Sequence, residues 1–136
     1  MKQIKLAGLG LLVALTVLAA GYLWGARGRW AAEERLGIAE RQWHLADARR
    51  EALAGSVEIY KLNFGAATGH FEAARAGAVA VASALETAGL GPQAASASAA
   101  AGHLDEARVL ASRLDQAAGQ RAATAVGELD KAAAAQ

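Results

Sequence analysis

Read for its apolar and polar positions, the chain changes character twice. Residues 6–26 carry no charged side chain, and apart from the ring-borne groups of Tyr22 and Trp24 the only polar side chain among them is Thr16. As a helix this stretch spans roughly 32 Å at about 1.5 Å per residue, enough to cross the hydrocarbon core of a bilayer. Lys2 and Lys5 stand before it, and Tyr22, Trp24 and Trp30 mark its far end, where amphipathic rings favour the headgroup level. The pattern therefore predicts a tail at 1–5 and a transmembrane anchor at 6–26. The alternative is a secretory signal cleaved after Val17-Leu18-Ala19, which the continuation of the apolar run beyond that point disfavours. Gly21-x-x-x-Gly25 would let two such anchors approach closely.

From 27 to 55 the pattern becomes amphipathic. Glu33, Glu34, Arg35, Glu40, Arg41, Asp47, Arg49, Arg50 and Glu51 alternate in sign, while Ala32, Leu36, Ala39, Trp43, Ala46 and Leu53 recur at heptad spacing. This predicts a stalk helix with one narrow packing seam. The seam can be followed on through Val57, Tyr60, Phe64, Ala67, Phe71, Ala74, Ala78, Val81 and Leu85 to Ala88, with only Arg50 breaking it. That continuity supports a second architecture: one uninterrupted helix to about residue 88, folded back on another after Pro92.

Glycines punctuate the remainder. Taken as helix ends, Gly55, Gly69, Gly89 with Gly91, Gly102 and Gly119 give helices near 56–68, 70–88, 92–101, 103–118 and 120–134. Ser56 can cap the first, and Pro92 suits the opening turn of the third. Acid-before-base pairs three residues apart (Asp47/Arg50, Glu58/Lys61, Glu72/Arg75, Asp105/Arg108 and Glu128/Lys131) mark helix along most of the chain.

Within this region Gly69-His70-Phe71-Glu72-Ala73-Ala74-Arg75 returns 33 residues later as Gly102-His103-Leu104-Asp105-Glu106-Ala107-Arg108, with four of seven positions identical. Repeats of this period mark stacked helical hairpins. Over 57–118 the chain resembles the tetratricopeptide repeat family: Gly69 and Gly102 match the turn between paired helices, and Ala74 and Ala107 the small residue that lets them close. Ala78 and Ala111 stand where that family places a large aromatic. The resemblance implies two degenerate antiparallel hairpins at 56–118, a capping helix at 119–136, and a concave surface for a peptide or helix of another protein.

Composition narrows the functions. Ala and Gly dominate and Pro occurs once, which favours closely packed helices, so the expected fold class is all-α. Lys plus Arg number 14 against 13 Asp plus Glu, too even a balance for a nucleic-acid surface. No cysteine is present, which excludes a disulfide, a thiolate nucleophile and a Cys-based zinc site. His44, His70 and His103 are the only imidazoles, and none stands in a recognised ligand spacing; Glu40 with His44 on one helix face reads as a solvated pair rather than a metal site. Ser83, Ser96, Ser98 and Ser112 lie in Ala-rich helix without a nucleophile elbow. The sequence thus points to no catalytic residue, no metal and no cofactor.

The expectation is a non-catalytic, membrane-anchored helical adaptor for another protein, with Trp43, Tyr60, Asn63, Phe64, His70, Phe71 and Arg75 as contact candidates. For Tyr60, Phe64 and Phe71 a core position competes with that role, and Asn63 reads either as bonded to a helix end or as meeting a partner backbone. The alternative is a small accessory subunit or self-associating coiled coil of a larger membrane complex, hence a homo-oligomer. Lys2 and Lys5 with the α-amine compete with Arg27, Arg29, Arg35 and Arg41 for the cytoplasmic side. The expected arrangement is a single-pass protein of a bacterial-type inner membrane with its C-terminal domain outside the cytoplasm.

Overall fold

Alanine decides the fold. Fifteen of the 22 buried hydrophobic residues are alanine, and the larger members are Leu45, Ile59, Phe71, Val81, Leu85, Leu104 and Leu129. Side chains this small give helix stripes that pack only when the backbones come close. The computed structural model describes residues 2–134, with side chains described for all of these except 2–14, 26–28, 30 and 31. The described residues form four helices and no strand, so the chain is all-α: α1 (Lys2–Tyr60), α2 (Phe64–Thr87), α3 (Gly91–Ser112) and α4 (Ala117–Ala133). The chain divides into two units, Met1–Gly37 and Ile38–Gln136.

The first unit is helical wherever it is described, and every side chain from 15 to 25 is exposed. The predicted anchor at 6–26 falls partly outside the described side chains, at 6–14 and 26. Among the described residues no helix is long and apolar enough to cross a membrane.

The second unit is an up-down-up-down bundle. On α1 the buried positions are Leu45, Ala48, Ala52, Gly55 and Ile59; on α2 they are Ala67, Phe71, Ala74, Ala78, Val81 and Leu85. On α4 they are Ala118, Ala122, Ala125, Leu129 and Ala132. All follow three-four spacing, the register of near-antiparallel helices packed knobs into holes. Ion pairs stitch each neighbouring pair of helices: His70 to Glu51 at 2.7 Å, Arg75 to Asp105 at 3.6 Å, Arg121 to Glu106 at 3.0 Å and Arg49 to Asp130 at 3.2 Å.

The glycine scheme is corrected at four of its five stops, one of which, Gly119, lies inside α4 while the turn before that helix falls at 113–116. Gly55 lies inside α1, and Gly69 and Gly102 lie inside α2 and α3, so the matched seven-residue segments are mid-helix stretches and the expected turns at their glycines do not form. Gly55 has a packing role: the Phe71 ring lies against it, and a methyl placed on Gly55 would meet Cδ1 at 2.7 Å. Ser56 is mid-helix, and its hydroxyl donates back to the Ala52 carbonyl at 3.0 Å. The uninterrupted helix to residue 88 is also corrected, because the chain turns at 61–63.

All three turns close in the same way. The amide of Asn63 donates to Glu58 O and that of Leu62 to Ile59 O; Leu90 and Gly89 repeat this with Leu85 and Glu86, and Asp115 and Leu114 with Leu110 and Ala111. These are Schellman turns, which need one left-handed residue. Gly89 supplies it between α2 and α3 at φ 75°, but the other two turns use leucine, Leu62 and Leu114, both at φ 60°. Of the five predicted acid–base pairs, those at Asp47/Arg50, Glu58/Lys61, Asp105/Arg108 and Glu128/Lys131 form, while Arg75 turns to Asp105 on the next helix.

Candidate functional site

Apart from Val79 on α2, the second unit presents its large uncovered apolar side chains in two places, the outward face of α1 and the end of the bundle where α1 meets α2 and α3 meets α4. Successive residues of a helix are turned by about 100°, so a position two residues before a buried one lies on nearly the opposite side. Trp43, Ala46, Arg50, Leu53 and Val57 stand in that relation to Leu45, Ala48, Ala52, Gly55 and Ile59. All five are exposed: Trp43 by 63%, Leu53 by 47% and Val57 by 51%. The predicted seam is thus a packing seam on α2, where Ala67 to Leu85 are buried, and a solvent-facing stripe on α1. The turn at 61–63 changes the phase between them. Along the stripe the Trp43 ring meets His44 edge-on with centroids 5.2 Å apart, and Arg50 donates to Asp47 at 2.7 Å and to Glu51 at 2.9 Å.

At the bundle end Tyr60 is 90% exposed, and the left-handed Leu62 and Leu114 are also exposed. A β-carbon in the left-handed region costs about 1–2 kcal/mol relative to glycine, so both turns hold a strained leucine side chain in solvent. Beside them, Ser56, Ile59 and Tyr60 of α1 face Gln116, which precedes α4, and Gly119 and Gln120 of α4 across an open groove. Sequence reasoning did not find Leu62 or Leu114. No Gly, Pro or Asn-Gly pair marks the first turn, and an apolar residue at a left-handed position carries no sequence signal.

The other contact candidates are dispersed. Asn63 donates its amide to Glu58 Oε2 at 2.8 Å, which ties it to the end of α1. Phe64 is half-buried against the core, and Phe71 is fully buried and so closed to any partner. Arg75 is held by Asp105. His70 bridges helices, its Nδ1 bonded to Glu51 Oε2. That bond is the first cause holding the Glu51 carboxyl below its ordinary range, assisted by the nearby charges of His70 and Arg50 and opposed by partial burial. The Glu58 carboxyl is likewise lowered, by hydrogen bonds from Lys61 and then Asn63.

These contacts connect helices and turns rather than surrounding a cleft. A second groove between α1 and α4, beside Gln42, Leu45 and Ala46, has the Arg49–Asp130 pair at its wall. His103 Nδ1 stands 3.9 Å from Glu106, beyond hydrogen-bond range, and lacks a hydrogen-bond partner among the described residues. No group of three metal-ligating side chains occurs among the described residues. Comparison with protein-family models, curated proteins and solved structures gives no match.

Proposed function

We propose that this protein is a single-pass, membrane-anchored, non-catalytic helical adaptor whose four-helix unit presents a binding surface to another protein. The carrying observation is where large apolar side chains are left uncovered. In the first unit Leu15, Val17, Leu18, Tyr22, Leu23 and Trp24 are each more than half exposed, and at about 100° per residue they surround the whole helix. A helix apolar all round needs either a protein interior or a bilayer about it, and the charge-free run of 6–26 has the length for a bilayer. The two lysines before it support a cytoplasmic N-terminus, with the bundle on the outer side of a bacterial-type inner membrane.

In the second unit, the surface assigned to the other protein is the bundle end carrying Tyr60, Leu62, Asn63 and Leu114. Strained left-handed residues persist where something besides stability retains them, and here both are leucines directed into solvent. The resemblance to tetratricopeptide repeats enters this reading only as a precedent for helical hairpins that bind peptides, since Gly69 and Gly102 are not turns. Leu62→Gly with Leu114→Gly separates fold from function. The double variant is expected to unfold at a higher temperature, by about 1 kcal/mol per site. It is also expected to lose the protein captured by a photo-reactive residue at Asn63, which is exposed at the bundle end, in intact membranes. Undiminished capture by this stabilised variant would rule out the bundle end as the adaptor surface.

A second reading, a self-associating component of a larger membrane complex, is favoured by one observation: the stripe on α1 faces away from its own bundle.

A further inference from the structure

We infer that the outward face of α1 from Ala39 to Tyr60 binds a second copy of the same chain, parallel and in register. The direction of the pair rests on the membrane-anchored reading; the surface itself does not.

The stripe keeps strict heptad spacing for three repeats, with Trp43, Arg50 and Val57 at one seam position and Ala39, Ala46, Leu53 and Tyr60 at the other. A 3.5-residue period stays on one side of a helix only when that helix wraps around another of matching period. The chain's own buried stripe already satisfies the bundle, so the outer one is left for a helix outside it. Side chains of 150–250 Å² exposed to the extent of Trp43, Leu53, Val57 and Tyr60 offer roughly 500 Å², which with the alanines and the Arg50 stem gives about 1,200 Å² for two copies. That is the lower end for a specific interface, and two anchored chains need no more because the bilayer raises their effective concentration.

The flanks accept this pairing. In a parallel pair the Gln42 amide faces Asp47 of the second copy, and no like charges oppose each other beside the seam. An antiparallel pair would bring Glu40 to Lys61 instead, but it would put the two Ala39 ends of the stripe, each 13 residues after an anchor that ends at Ala26, at opposite ends of the pair. Arg50 is the one charge in the seam. Its guanidinium is held by Asp47 and Glu51 on its own helix, so its aliphatic stem faces the partner. A single polar seam position fixes register and two-strandedness at some cost in stability. In the first unit Gly21 and Gly25 have open space where a β-carbon would stand, which permits close approach of two anchors.

The chain contains no cysteine, so single-cysteine variants of the full-length protein in its membrane provide the test. Ala39→Cys, Ala46→Cys and Leu53→Cys are each expected to oxidise to a disulfide-linked homodimer, whereas Ala99→Cys, on the exposed side of α3, is not. Adding Trp43→Ala to Ala46→Cys should lower the yield about tenfold, the equilibrium effect of a single interface anchor; adding Arg50→Leu should raise it. Linkage at only one of the three α1 positions, as an antiparallel crossing gives, overturns the proposal. So does equal linkage at Ala99→Cys, or linkage only to a different protein. Alkaline carbonate extraction on the same samples separates the two readings. A chain that stays in the membrane without linking refutes the dimer alone, and one that links but is extracted refutes the anchor alone.

Discussion

Over its last five turns α1 carries two apolar stripes of opposite make-up. The buried one is Leu45, Ala48, Ala52, Gly55 and Ile59; the exposed one is Trp43, Ala46, Leu53, Val57 and Tyr60, broken by Arg50. Between Leu45 and Ile59 the inner stripe is small, Ala48, Ala52 and Gly55, because the neighbouring backbones come close: Phe71 lies on Gly55, and a methyl on Gly77 of α2 would meet Ala48 Cβ at 3.1 Å. The outer stripe is bulky because nothing among the described residues limits its size. On α1, side-chain bulk therefore ceases to indicate which face is inside, whereas on α2 Phe71, Val81 and Leu85 still mark the core.

The largest effect that follows is a contrast between two aromatics. Phe71 is fully buried and Trp43 is 63% exposed. Phe71→Ala should lower the unfolding free energy by about 3–5 kcal/mol, through lost burial and a cavity that Ala-lined helices cannot fill. Trp43→Ala should change it by less than about 0.5 kcal/mol. Thermal unfolding of the full-length chain in detergent, diluted until it is monomeric, measures both. Equal losses would mean that the outward stripe is covered within the protomer.

The same contrast explains what was legible in the sequence. The all-α class followed from composition, and the buried face of α2 from heptad spacing, because Phe71, Val81 and Leu85 are large residues of that helix and do face the core. Val79, also large, faces solvent on α2, and on α1 the same rule selected Trp43, Leu53 and Val57 and so chose the wrong side for the bundle. The break at 61–63 was hidden because Leu62 fills a position where glycine would have announced it. Gly69 and Gly102 announced turns that do not exist: a helix whose other positions are mostly good helix formers tolerates an isolated glycine at about 1 kcal/mol. Among the contact candidates Tyr60 and Trp43 proved accessible, while Phe71 did not; the sequence distinguishes them only once the phase of each helix is known.

Glycine substitutions sharpen the comparison at a smaller scale. At Gly69 and Gly102 a β-carbon meets nothing within 4 Å, and both lie mid-helix. Alanine there should stabilise the bundle by about 0.5–1 kcal/mol per site through helix propensity. At Gly55 the same change gains that propensity but overlaps the Phe71 ring, and overpacking of this kind costs about 1–3 kcal/mol. A net loss at Gly55 beside gains at Gly69 and Gly102, read as shifts in unfolding temperature, would confirm that only the inner stripe is limited by close approach. Destabilisation by Gly69→Ala would instead restore a turn at that position.

The smallest predicted effect lies where the two faces meet. Glu51 accepts from Arg50 of the outward stripe through one oxygen and from His70 of α2 through the other. Its carboxyl is lowered from the ordinary value of 4.5, first by the His70 bond. A carboxyl lowered in the folded state binds fewer protons there than in the unfolded chain, so its stabilisation is complete above the ordinary glutamate value and is lost as pH falls through the folded one. With Glu51 and His70 both partly exposed, the stake is about 0.5–1 kcal/mol. Glu51→Gln should therefore be less stable than the parent by that amount above about pH 5, and the difference should close as pH falls below the ordinary glutamate value and the folded carboxyl protonates. Denaturant titrations across this window test it, with Glu72→Gln on the exposed side of α2 as the reference. A gap that persisted unchanged at the acid end would show that Glu51 acts through packing rather than through its charge.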